Sequence, residues 1–212
     1  MATKLLKKDL EKMVQEQQAT IEKLKLQVES KTTESKKEEE TGMNINKADI
    51  VEHFEKAVKA NKAVTLVWTS NSSITLWGNA VMGRGLAKQL VTKYPKLKEL
   101  ESTKLNNYKT ITKRKDKFDN LVTIKDAKLH HVYSKGNKSI MAFPVKEGYW
   151  EAAKTSIIEE NAKRLAYMAK KNPTMNYLIN YPGIGTGKLK QEEVQPILEK
   201  YLQLSNVFIY IK

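Results

Sequence analysis

Gly78-Asn79-Ala80-Val81-Met82-Gly83-Arg84-Gly85-Leu86-Ala87 and, about a hundred residues on, Tyr181-Pro182-Gly183-Ile184-Gly185-Thr186-Gly187 hold six of the nine glycines of this 212-residue chain. Each stretch lies between an apolar, strand-like run and a helix-like run. Glycine at such places lets backbone amides crowd around an anion, because no Cβ blocks the approach and positive φ costs little. Two loops of this kind predict a diphosphate gripped from both sides.

Outward from the loops, strand and helix patterns alternate. Residues 43–47 read as a short strand, 48–61 as an amphipathic helix with Ile50, Val51, Phe54 and Val58 inward, and 63–68 as a buried strand, followed by a polar loop at Ser70-Asn71-Ser72-Ser73. The first glycine loop leads into a helix over 86–93, stopped at Pro95, and a second helix covers 96–104. Strands are predicted at 121–124, 132–133, 139–143, 177–180 and 207–211, with a long helix at 150–171 and another at 192–202. Alternation of this kind implies an α/β fold with helices on both faces of a sheet, and ligand-holding loops at the carboxyl ends of its strands.

Residues 1–42 read differently. They place Leu10, Val14, Ile21, Leu24 and Val28 at spacings of four and three, with Gln17 in the missing seam position. Three readings fit: a short self-associating coiled coil, a lone helix docked on the domain, or a solvated tail. The stretch Lys36-Lys37-Glu38-Glu39-Glu40 belongs to a linker, so the chain divides into residues 1–42 and a domain over 43–212.

The formal charge is +14. Residues 1–42 carry nine Lys against nine acidic groups, which leaves the whole excess, 29 basic against 15 acidic, on residues 43–212. Such a field attracts polyanions and phosphorylated ligands. The absence of cysteine excludes disulfides and thiolate sites, and three histidines make a His-rich metal site a poor expectation, so neither metal nor cofactor is implied. Apolar runs of a few residues and a Lys-rich start predict a soluble, cytoplasmic protein with no membrane span.

Neither loop fits a familiar nucleotide motif. Gly183-x-Gly185-x-Gly187-Lys188 is too short for a P-loop and continues with Leu189 where a Ser or Thr should bind magnesium. The segment from Gly78 to Gly85 lacks the dinucleotide order of glycines and the acidic strand end that follows it. What the pair resembles is the macro domain, the ADP-ribose-binding three-layer α/β/α module with a mixed sheet. Asn71-Ser72-Ser73 with Gly78 to Gln89 is similar to that family's first phosphate loop, in its "VMGxGIAxQF" branch. Pro182 to Gly187 is similar to the second loop, and Phe143-Pro144-Val145-Lys146 with Trp150 to the branch's "FPTK...W" segment.

The resemblance implies that the chain binds ADP-ribose, or ADP-ribosylated protein or nucleic acid. Asp49 and Ile50 would meet the adenine, a role that competes with plain N-capping by Asp49. Amides around Met82, Gly83, Gly85 and Leu86, and of Gly183, Ile184, Gly185, Thr186 and Gly187, would hold the diphosphate. Asn71 and Asn79 would lie by the distal ribose, and Phe143 beside the site, with a simple turn as the competing role for Asn79. A homo-oligomer through residues 1–30 is the associated expectation.

Chemistry is less evenly implied. The branch that cleaves ADP-ribosyl esters needs an acid where this chain has Ala87. The branch that removes ADP-ribose from glutamate or DNA bases uses a Lys at the end of the strand before the long helix, and Lys146 matches it. That branch also uses an Asp in the second loop, where Gly187-Lys188-Leu189 stands here; Glu192 and Glu193 are the nearest carboxylates. Lys146 is therefore the one catalytic candidate, with an ordinary solvated lysine as the competing reading. Two other functions remain open: a nucleic-acid-binding module using Lys113-Arg114-Lys115, and a phosphatase acting on ADP-ribose 1″-phosphate.

Overall fold

A computed structural model describes Gln18 and residues 42–211, and those from 42 on form one compact unit. The expected coiled coil and linker lie outside the described residues. The elements, in order, are β1 (Asn44–Asn46), α1 (Ile50–Lys59), β2 (Val64–Asn71), β3 (Ser73–Thr75), α2 (Gly85–Lys93), α3 (Leu97–Asn107), β4 (Thr110–Lys115), β5 (Leu121–Lys125), β6 (His130–Lys135), β7 (Lys138–Lys146), α4 (Thr155–Lys171), β8 (Asn176–Asn180), α5 (Gln191–Leu202) and β9 (Val207–Tyr210).

Six strands form a mixed sheet in the order β1-β9-β8-β2-β7-β6. All neighbours are parallel except β6, which runs antiparallel to β7. Period-two alternation divides the side chains between two cores. Leu66, Trp68, Ile140 and Ala142 join Phe54 of α1, Leu90 of α2 and Leu97 and Leu105 of α3 on one face. Val67, Met141, Phe143 and Ile179 join Ile158, Ala162 and Leu165 of α4 and Leu198 of α5 on the other. The result is the three-layer α/β/α arrangement, and each fully buried large apolar side chain contributes about 1.5–3 kcal/mol.

Three expectations need correction. Ser70-Asn71-Ser72-Ser73 is not a loop: β2 runs on through Asn71, and Ser73 opens β3. Both serines at 72 and 73 are buried because their hydroxyls reach Ala127 O (3.5 Å) and Asn71 Oδ1, so polarity did not force exposure. The long helix starts at Thr155, and Trp150 to Lys154 form a loop. A second sheet, β3-β5-β4, was not anticipated; β4 carries Thr-Ile-Thr-Lys-Arg-Lys and is held by antiparallel pairing with β5.

Because β1, β2, β7, β8 and β9 run parallel, their carboxyl ends open on one edge. The β2–β8 ladder runs from Val64↔Asn176 to Val67↔Ile179. Beyond it, Asn180 bridges the strands, accepting from Thr69 N (2.8 Å) and donating to Thr69 Oγ1 (2.7 Å). Among the described residues no helix is long and apolar enough to cross a membrane.

Candidate functional site

Two cavities lie along that carboxyl edge. The inner one, about 380 Å³, is lined by Asn71, Met82, Gly83, Arg84, Lys146 and Thr186 among others. The outer one, about 1000 Å³, is lined by Asp49, Ile50, Gly85, Leu86, Gln89, Gly185 and Tyr210 among others. Both touch Ile184, and consecutive residues of the two glycine loops, Arg84 then Gly85 and Ile184 then Gly185, pass from one to the other.

The first loop is built in two halves. Its start is a tight turn: Gly78 adopts φ +74°, Thr75 N donates to Asn79 O (2.9 Å), and Asn79 N donates to Thr75 Oγ1 (3.2 Å). Ser102 Oγ accepts from Ala80 N (2.9 Å), and Asn106 Nδ2 donates to Gly78 O (2.8 Å), which pins the turn to α3. Its second half, from Val81 to Arg84, faces the inner cavity and hands over to α2 at Gly85, φ +56°. Arg84 caps this helix with no side-chain hydrogen bond, so no capping side chain occupies its first amides.

In the second loop Gly183 and Gly185 have φ +80° and +71°. A short 3-10 turn follows over Gly185–Gly187. A Cβ on Gly185 would meet nothing within 4 Å, whereas one on Gly187 would lie 3.0 Å from Ala153 Cβ. Gly187 also accepts from Ala153 N (2.8 Å), so any side chain there would crowd the segment it is bonded to.

Lys146 ends β7 and is buried, 8% exposed, not solvated. Its Nζ donates to Glu151 O (2.9 Å) and Thr186 O (3.4 Å). Burial pushes its pKa below the usual lysine value; the Glu151 charge opposes this, and the nearby cations Lys188 and Arg84 add to the lowering. Arg84, Lys117 and Lys188 also line the inner cavity, and the acid that lines it, Glu101, is 2.9 Å from His130 Nε2. The cavity is therefore basic, with one amine biased toward its neutral form.

Asp49 does two things. Its Oδ1 accepts from Val51 N (2.8 Å) and Glu52 N (3.0 Å) as the cap of α1, and its Oδ2 accepts from Gln89 Nε2 (3.1 Å) in the outer cavity. Asn71 lines the inner cavity while tying β2 to the first loop, donating to Val81 O (3.0 Å) and accepting from Ser73 N (3.1 Å).

Two expected site residues are not in either cavity. Asn79 is exposed in the Thr75 turn. Phe143 is fully buried between β7 and α4, because strand alternation sends it to the same face as Met141 and Val145.

Several residues were missed. Tyr149 and Trp150 line the inner cavity edge to face, 5.2 Å apart at 82°, and Gly148 leaves room for the indole, since a Cβ there would lie 2.9 Å from it. Lys117 and Phe118 sit on a turn organised by Asp116, whose carboxylate accepts from Phe118 N (2.7 Å), Asn120 N (3.0 Å) and Tyr149 Oη. Burial pushes the Asp116 pKa up, but these hydrogen bonds outweigh it and bring it to about 2. Trp68 Nε1 and Ser70 Oγ, on strand residues that line the same cavity, are buried with no hydrogen-bond partner. The adjacency of Tyr149 to Trp150, and of Lys117 to Phe118, was the available signal; Trp68 and Ser70 carried none.

Two residues of the basic stretch at 113–115 pair within the domain. Arg114 pairs with Glu147 and Glu151, and Lys115 with Asp119, each at 2.8 Å.

No protein-family model matches the chain, and no curated protein matches it. Solved structures do. The macrodomain of Mycobacterium tuberculosis DarG is 18% identical with a TM-score of 0.52, over 81% of this chain and 99% of that one. The macrodomain of Thermus aquaticus DarG is 19% identical with a TM-score of 0.53, over 79% and 95%. Thermosipho africanus DarTG, solved in complex with ADP-ribose, is 20% identical with a TM-score of 0.50 over 72% of this chain, which spans 39% of that longer protein. Glycine loops at the carboxyl edge of a mixed sheet, in a three-layer fold that superposes on these structures, give residues 42–211 the macro-domain fold.

Proposed function

We propose that the chain binds ADP-ribose, free or attached to a macromolecule, along the two cavities, and that Lys146 releases it from the attached group. One observation carries this reading: both glycine loops line both cavities, with Asp49 at the outer one and Lys146 at the inner one. The adenine would take the outer cavity beside Asp49, Gln89 and Tyr210, the diphosphate the amides of Gly85, Leu86 and Gly185, and the distal ribose the inner cavity. The fold shared with a structure solved in complex with ADP-ribose supports the ligand.

In the catalytic step the neutral Lys146 amine attacks C1″ of the distal ribose. A C1″–N bond forms, the bond from C1″ to the carrier breaks with its electron pair, and the carrier takes the proton that the newly bonded, cationic nitrogen sheds. Water then adds at C1″, and the C1″–N bond breaks to return the lysine. The carrier is protein or nucleic acid, and residues 1–30 would join copies of the chain.

Calorimetry tests the binding half. Titration with ADP-ribose should give saturable heat and titration with adenosine a weaker response, because adenosine lacks the diphosphate. No heat with ADP-ribose at millimolar concentration would refute it.

A further inference from the structure

Lys146 is flanked by carboxylates yet bonded to none. Its Nζ meets two carbonyl oxygens, those of Glu151 and Thr186. Glu151 supplies one of these through its backbone, and the charge of its own carboxylate acts on the amine. That carboxylate is held elsewhere. Oε1 accepts from Arg114 Nη1 (2.8 Å), and Oε2 accepts from Gly148 N (2.9 Å). The other nitrogen of the same guanidinium, Nη2, donates to Glu147 Oε2 (2.8 Å), the acid that directly follows Lys146. Arg114 comes from β4, in the separate three-stranded sheet, and its Nε is buried without a partner, so its grip consists of these two acids.

The charged groups around Lys146 divide by element. From its own turn come Glu147, Glu151 and Lys154, which also pairs with Glu147 (3.3 Å). Lys188 approaches from the second glycine loop and Arg84 from the first, both cations. Arg114 is the group that neutralises both acids at once. A planar, permanently charged fork with two carboxylates in place has no substitute in lysine, which offers a single point charge.

We propose that Arg114 is the positioning residue for Lys146: by holding Glu147 and Glu151 in its fork, it fixes the 147–151 turn in the form that offers Lys146 carbonyl oxygens and withholds a carboxylate. With Arg114 removed, the Glu151 side chain turns to the ammonium and stabilises its proton. The amine then loses its nucleophilic form at neutral pH. This rests on the reading of Lys146 as a nucleophile.

The test reads the amine itself and needs no ADP-ribose. The full chain is labelled with acetic anhydride across a pH series, and acetylation of Lys146 is followed by peptide mass spectrometry. In the wild-type chain the labelling midpoint should lie below that of the exposed lysines. In Arg114→Gln it should rise by about one pH unit, so that labelling at neutral pH falls about tenfold. Arg114→Lys should behave like Arg114→Gln. Adding Glu151→Gln to Arg114→Gln removes the competing carboxylate and should restore the wild-type midpoint, which a collapsed site would not do. An unchanged midpoint in Arg114→Gln, or no restoration in the double variant, overturns the assignment. A wild-type midpoint equal to that of exposed lysines overturns the nucleophile reading first, and the assignment with it.

Discussion

One methyl group, placed separately at Gly183 and at Gly185, should divide stability from ligand binding. Both residues need positive φ, +80° and +71°, so alanine costs roughly 1–2 kcal/mol at either. Their surroundings differ. A Cβ at Gly183 would lie 2.7 Å from Ile158 Cδ1 and 2.9 Å from Leu189 Cδ1, and Ile158 is fully buried. Overpacking of this kind adds about 1–3 kcal/mol, so Gly183→Ala should lose roughly 2–5 kcal/mol. At Gly185 the Cβ meets nothing, and its loss should stop at roughly 1–2 kcal/mol. Gly185 lines the outer cavity, and under the proposed binding mode the methyl would stand between the diphosphate and the loop amides. Binding of ADP-ribose should weaken at least about tenfold, equivalent to ~1.4 kcal/mol. Urea unfolding measures the first quantity and calorimetry the second. Equal stability of the two variants would refute the packing argument, and wild-type affinity in Gly185→Ala would refute the role given to the loop.

Three further outcomes are expected. Lys146→Ala should abolish release of ADP-ribose from an ADP-ribosylated substrate while keeping affinity for free ADP-ribose within a few-fold; unimpaired release would remove Lys146 from the chemistry. Asn180→Ala breaks the two hydrogen bonds to Thr69 and leaves Thr69 N unpaired, so urea unfolding should show a loss of about 1–3 kcal/mol, and a neutral result would mean the strand ends are held by other means. The third concerns His130: burial pushes its pKa down, but the Glu101 hydrogen bond and charge, with the Lys128 carbonyl, raise it beyond its ordinary value. The stability from this pair is complete below about pH 6.5 and is lost as the pH rises through the higher folded value. The urea midpoint should fall over that range, and Glu101→Gln should flatten the fall; an equal slope in both would refute the linkage.

What could be read from the sequence follows from how parallel strands are built. Buried on both faces, β2, β7, β8 and β9 appear as short apolar runs, and β7 and β8 hand over to loops at their carboxyl ends. The glycine loops could be found because positive φ and open space at Gly85 and Gly185 leave a compositional trace. The strand β4 left none, since it has one apolar residue and owes its form to β5. Phe143 was misplaced although its face was readable from the alternation along β7. The burial of Lys146 was not readable, because its hydrogen-bond acceptors come from Glu151 and from Thr186, the latter 40 residues from the lysine. Arg114 was hidden for the same reason: a basic run says nothing of which acids a distant turn brings to it.

The pairing of β1 with β9 carries a consequence for the order in which the domain assembles. Asn44 aligns with Phe208 and Asn46 with Tyr210, so an outer strand from the beginning of the domain docks on the strand that ends it. Closing so long a segment is slow compared with forming the inner β2–β7 ladder. The residues lining the inner cavity all lie between Trp68 and Lys188, whereas the outer one needs Tyr210 beside Ala48 and Asp49. A chain cut before β9 would therefore carry every residue that lines the inner cavity and lack Tyr210 of the outer one, at the cost of the buried Val207 and Ile209.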